Sequence, residues 1–189
     1  MKKIFTLLAL TISFIINAQM SDNSTGTSAN GSRSVAMGSY TTASGDYSTA
    51  MGQDSTASGI TSTAMGAGTN ATGQRSTSMG NYTTASGSMS VAMGYKALAA
   101  GDRSVAMGTD TRASDLNSLV IGQYNSSGYS VTSADSFSTS APAFVIGNGT
   151  TSNARSDAFK VMFNGDTYVS SSLYLGGTAI TSTAAELNI

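Results

Sequence analysis

The sequence contains no cysteine and no histidine. The first absence excludes a disulfide framework and thiolate chemistry. The second removes the usual general base and the commonest metal ligand. Glutamate occurs once, at Glu186, proline once, at Pro142, and the nine aspartates are scattered. Charge is scarce and nearly balanced, with 9 basic against 10 acidic residues and a formal net of −1. Without Lys2 and Lys3 the balance is seven against ten, or −3. That is too weak to mark nucleic acid or an anionic membrane as a partner. No cofactor, metal site or catalytic residue is expected, and the chain reads as a non-enzyme.

Ser, Thr, Gly and Ala fill the space these absences leave. Such a composition usually marks a disordered linker, but here the small residues are periodic, and disorder has no reason to keep register. At the N-terminus, Lys2 and Lys3 precede an uncharged apolar run, Ile4 to Ile16, followed by Asn17-Ala18-Gln19. The order of charge, apolar stretch and small residue is that of a secretory leader, expected over 1–18. The run is also short for a membrane span. Residues 19–30 are polar and without rhythm, and read as a flexible lead-in to an exported, surface-located protein.

From residue 31 the rhythm is strict. Met-Gly pairs recur at Met37-Gly38, Met51-Gly52, Met65-Gly66, Met79-Gly80, Met93-Gly94 and Met107-Gly108, and Ile121-Gly122 takes the next slot; every step is 14 residues. Midway between them lie Gly31, Gly45, Gly59, Gly73, Gly87 and Gly101, with Asp115 in the slot that follows. Ser34 and Ala43 head two further columns at the same spacing. A helical repeat tolerates so many glycines poorly, at about 1 kcal/mol each relative to alanine. Two short strands with a tight corner after each fit better. All twelve glycines are assigned to the corners, where positive φ carries no steric cost for them. One coil buries too little to fold alone, so coils must stack, with strands paired in parallel at about 4.8 Å.

Alternation along Ser34-Val35-Ala36-Met37 puts Ser and Ala on one face and Val and Met on the other. Small residues suit the inside of a narrow roll. The Met column then lies outside, as a continuous apolar stripe that calls for a partner surface, and self-association satisfies it most simply. Met37, Met51, Met65, Met79, Met93 and Met107 are the expected subunit interface.

The units Ser34–Gly38, Ser90–Gly94 and Ser104–Gly108, alternating with Thr42-Ala43-Ser44-Gly45-Asp46-Tyr47-Ser48, resemble the head repeats of trimeric autotransporter adhesins of the YadA type. Ile is usual there in the slot that holds Met here, and Ile121 returns to that form. The resemblance spans about 31–122. It implies an all-β fold, a left-handed parallel β-roll (a solenoid) of 14-residue coils. It also implies a homotrimer with an adhesive role toward an extracellular surface, matrix or glycan.

Residues 123–157 break the rhythm with loop-forming stretches. Ile146-Gly147 nevertheless follows Ile121-Gly122 by 25 positions, one coil plus an 11-residue insertion, so Phe144–Ile146 is expected to be an irregular eighth strand. Over 158–189 the texture becomes that of a small β-hairpin region. Ala158–Phe163 and Asp166–Val169 flank Asn164-Gly165, a type I′ turn signal, and Leu173–Leu175 adds a strand. Thr183-Ala184-Ala185-Glu186 has the capping-box pattern that opens a helix, which suggests the start of a stalk within a larger design. This segment resembles modules of phage tail fibres, and a tail-fibre-like structural or receptor-binding protein is the alternative reading.

Other chemistry is weak. Gly66-Ala67-Gly68 lacks the Gly-Lys-Ser/Thr of a phosphate loop. Asp54 and Asp110 share a corner slot with Tyr40, Tyr82, Gly68, Lys96 and Tyr124, without the glycine pattern of calcium-binding rolls. Arg33, Arg75 and Arg103 share a slot with Tyr47 and Thr61 and read as a solvated face. Thr41, Ser55, Thr69 and Thr83 begin a ladder of the kind an ice-binding face would use, but Ala97 interrupts it.

Overall fold

A computed structural model describes residues 20–21, 26–128, 131–175 and 178–180. The leader expected at 1–18 and the helix start expected at 183–186 lie outside these residues. The described chain is all-β. Each coil consists of a five-residue strand, a turn, a two-residue strand and a second turn. The long strands, from Val35–Ser39 through Leu119–Gln123, stack in parallel in one sheet. Their register repeats the sequence period: Met37 pairs with Met51, Met51 with Met65, and so on to Met107 with Ile121. The short strands, Thr42–Ala43 through Arg112–Ala113, stack in a second parallel sheet. The fold is thus a β-solenoid.

The irregular strand is present. Pro142–Asn148 pairs in parallel with Leu119–Gln123, with Ile146 beside Ile121 and Gly147 beside Gly122. Asp157–Met162 and Thr167–Val169 then extend the same sheet antiparallel, and Leu173–Leu175 with Thr178–Ile180 form a separate two-stranded sheet.

The interior is very small. Every Ala of the columns headed by Ala36 and Ala43 that appears in the core is essentially inaccessible, as are Ser34 and its equivalents. The largest fully buried side chains are Val120 and Val145, which take the Ala36 slot at the end of the roll, beyond Ala113, the last residue of the short-strand sheet. An Ala side chain gains only about 0.8 kcal/mol from burial. The roll is therefore held mainly by backbone ladders; some buried hydroxyls close on carbonyls, as where Ser34 Oγ donates to Gly31 O at 2.7 Å, while Ser48, Ser62 and Ser76 Oγ in the same column meet no hydrogen-bond partner.

Four expectations are corrected. First, these twelve glycines do not supply the left-handed residue of the corners, although the Gly31 series opens one corner turn of each coil, as where Ser34 N donates to Gly31 O. The residues two positions after each glycine slot hold the left-handed conformation, from Arg33 and Tyr40 through Asn117 and Tyr124, all of them non-glycine except Gly68, with φ between 43 and 63°. A left-handed L-residue costs roughly 1–2 kcal/mol. The geometry turns each corner N–H onto the coil before it, as Tyr47 N donates to Ser32 O and Tyr82 N to Ala67 O, both at 2.8 Å. The Gly38 series lies inside the long strands with φ of 112–135°, whereas the Gly31 series has no positive φ. Both exclude a Cβ for a second reason: it would sit well under 3.0 Å from the carbonyl oxygen of the equivalent residue one coil later. Second, residues 19–30 are not merely a lead-in. Met20–Ser21 pairs with Val35-Ala36, and Ser28–Ala29 with Thr42-Ala43, as an incomplete first coil. Third, the ladder of Thr41, Ser55, Thr69 and Thr83 is buried within the roll, so it offers no surface to ice. Fourth, Asn164-Gly165 is not a type I′ centre. Gly165 N donates to Met162 O, and of the pair only Gly165 has positive φ, at 94°. A turn over 162–165 with a left-handed glycine closes the hairpin, as in three-residue hairpin loops.

The far end of the roll is capped by side chains. Asn125, fully buried in the Thr111 column, accepts from Arg112 N at 2.8 Å and donates to Arg112 O at 2.9 Å, doing what the next short strand would do. Asp115 stands where no further coil crowds its Cβ. Its carboxylate accepts from Thr132 N at 2.6 Å and Ser133 N at 2.7 Å, pinning to the roll the excursion loop that connects Leu119–Gln123 with Pro142–Asn148. Each such charged hydrogen bond contributes about 1.5–3 kcal/mol. Asp115→Ala is expected to leave coils 31–108 intact and release the loop. Hydrogen exchange should show Thr132 and Ser133 losing protection; unchanged protection would contradict the anchoring role.

Candidate functional site: the outer face of the long-strand sheet

Because strand side chains alternate, burying Ala36 and its equivalents forces Val35 and Met37 and theirs outward. The structure brings all six expected methionines together in one in-register column on that face. Met37, Met51, Met65, Met79 and Met93 are half-buried and Met107 is exposed. Beside them runs a second column, Val35, Thr49, Thr63, Thr77, Val91, Val105 and Leu119, likewise at least partly open to solvent.

The stripe does not stop with the repeat. Ile121 and Ile146 continue the Met column, and Phe144 continues the Val column. Antiparallel pairing then sets Phe159 opposite Ile146 and Val161 opposite Phe144, on the same side, and the Phe144 and Phe159 rings meet edge-on at 6.1 Å. This extension is not legible from residue spacing, since a hairpin strand's facing depends on its register with the roll.

The corner columns are different in kind. Arg33 donates to Tyr47 Oη at 2.7 Å, with its guanidinium 5.4 Å from that ring's centroid. Tyr40 and Tyr82 lie over Gly26 and Gly68 of the preceding coil, where a Cβ would strike the ring. Tyr40, Tyr47 and Tyr82 are all more than half exposed. These columns form a solvated, aromatic and polar edge on either side of the long strands. Among the described residues no group of three or more Asp or Glu is placed to hold a metal ion.

The face is therefore an apolar strip running the length of the roll, bounded by polar corners. Chemically, this face can pack against another apolar surface. The family model of the YadA head domain repeat (2 copies) matches residues 29–55, 57–83, 85–111 and 99–125. No curated protein matches the chain.

Proposed function

From the premise that this chain belongs to the YadA head repeat family, we propose that it is a surface adhesin head that works as a homotrimer built on the Met face. That family is one of non-enzymatic adhesins, and the chain has the β-solenoid architecture of such a head. The observation that carries the proposal is the pairing of an alanine-filled interior with an unbroken apolar strip outside it. A protomer with so little inside gains most by covering that strip with copies of itself. Packing along a common rod axis lets every coil do so equally, and flexible Met side chains adapt to imperfect fit between chains. The polar corner columns then face outward in three copies, which suits shallow, multivalent contacts to an extracellular surface, matrix or glycan. Lys2, Lys3 and the apolar run after them support export to that location.

The test is retention on a surface. Labelled protein is applied to whole cells and to decellularised matrix, as the assembled form and as a monomeric Met65→Lys variant. Linked sites raise apparent affinity by about 10²–10⁴, so the assembled form should be held at least about a hundredfold more strongly. Failure of the assembled form to bind either surface, or equal retention of the monomer, would overturn the proposal.

A further inference from the structure

Outside the repeat, a recess of about 330 Å³ opens between the excursion loop and the last strands of the long sheet. Small-molecule sites range upward from about 300 Å³. Ser126, Arg155, Ser156, Asp157, Lys160 and Tyr168 contribute to its wall. Most of its charges are already committed. Arg155 Nη2 lies 2.7 Å from Asp110 Oδ1, and Arg155 Nη1 donates to Asp110 O. The two carboxylate oxygens of Asp157 accept from Ser126 N and Ser127 N, each at 2.8 Å. Lys160 differs. Its ammonium lies 4.4 Å from the Tyr168 ring centroid, and among the described residues no carboxylate pairs with it.

The recess is also on the free side of the sheet. Lys160 stands opposite Val145, which points into the roll, whereas Phe159 and Val161 share the Met face. Whatever covers the Met face leaves Lys160 and Tyr168 open.

We propose that this recess binds a single sugar unit bearing an anionic substituent, a carboxylate or a sulfate. The anion pairs with Lys160, and the ligand's hydroxyls meet Ser126 and Ser156. The half-exposed Tyr168 ring supplies an apolar edge for the sugar's C–H groups. A lone inorganic anion is far smaller than the recess and leaves the hydroxyls and ring unused. The site does not rest on the trimeric reading and needs no second chain.

The full chain is titrated calorimetrically with D-glucuronate, glucose 6-sulfate, D-glucose and sodium sulfate. One or both acidic sugars should bind in roughly the millimolar range, at least about tenfold tighter than glucose or sulfate. Glucuronate and glucose 6-sulfate separate the two anion chemistries. Lys160→Gln should abolish the preference and Lys160→Arg should keep it, with thermal melts showing both variants folded. Binding by glucose or free sulfate as tight as by the acidic sugars, no binding by either acidic sugar up to about 20 mM, or an unchanged preference in Lys160→Gln would overturn the proposal. These titrations read small-ligand binding alone, so they stand apart from whether the protein adheres or assembles.

Discussion

Gly66→Val is expected to abolish the folded roll. Gly66 has a φ of 135°, where a β-branched residue is a steric outlier. Its Cβ would also press on the carbonyl oxygen of Gly80 in the next coil, which is backbone and cannot move aside without breaking the ladder. Backbone strain of about 1–3 kcal/mol and overpacking of about 1–3 kcal/mol combine here. Together they come to about 2–6 kcal/mol, which reaches the lower end of a domain's whole stability of about 5–15 kcal/mol. Gly59→Val should destabilise the roll as well, but less, through the clash with Gly73 O alone, since Gly59 has no positive φ. Tyr40→Ala is the contrast. It keeps an L-residue in the same left-handed corner and removes a ring that is 56% exposed, so about 1 kcal/mol or less is expected. Thermal melts of the purified variants decide the matter. Equal losses would mean that close stacking of glycines is not what fixes the coil spacing. Asp115 already points this way, as the one residue with a Cβ in the midway column, placed where no further coil follows.

Met65→Lys is expected to dissociate the assembly. Met65 sits at mid-column with Met51 on one side and Met79 on the other. A lysine there meets methionines in its own column and threonines in the column beside it, with no carboxylate to pair with, and in a symmetric assembly its copies approach one another. Leaving a charge buried without a partner costs about 3–5 kcal/mol, or about 10²–10⁴ in an association constant. Asp54→Lys places the same charge in a corner where Lys96 already stands with a nearly identical backbone, φ 51° against 54°, and should leave the assembly intact. Sedimentation of the two variants separates the outcomes. An undisturbed oligomer in Met65→Lys would remove the Met face from the interface.

Much of this architecture was legible because it is periodic. The step from Met37 to Ile121 fixes coil length, and a 25-residue gap to Ile146 predicts a strand that resumes in register after an insertion, as Ile121 beside Ile146 shows. The outward Met face followed from volume, because the alternation leaves only Ala and Ser for the inside. The corners were misread because their slot mixes Arg, Tyr, Asp, Thr, Met and Lys. What those residues share is a backbone N–H aimed at the previous coil, which no side-chain type reports. The Thr41 ladder was misplaced for a related reason: a turn of so few residues resets facing, and alternation cannot be counted through it. The cap formed by Asn125, Asp115 and Asp157 was illegible because each satisfies backbone groups 13 to 31 residues away in the chain. The recess beside Lys160 depends on antiparallel register beyond the repeat, so it too appears only in three dimensions.

The central claim is that the apolar strip is buried between copies of this chain. Sedimentation equilibrium of the chain across a range of dilutions is the test. A particle of three protomers that persists on dilution is expected. A well-folded monomer at all concentrations would contradict it, because the Met column would then remain in water with nothing to cover it.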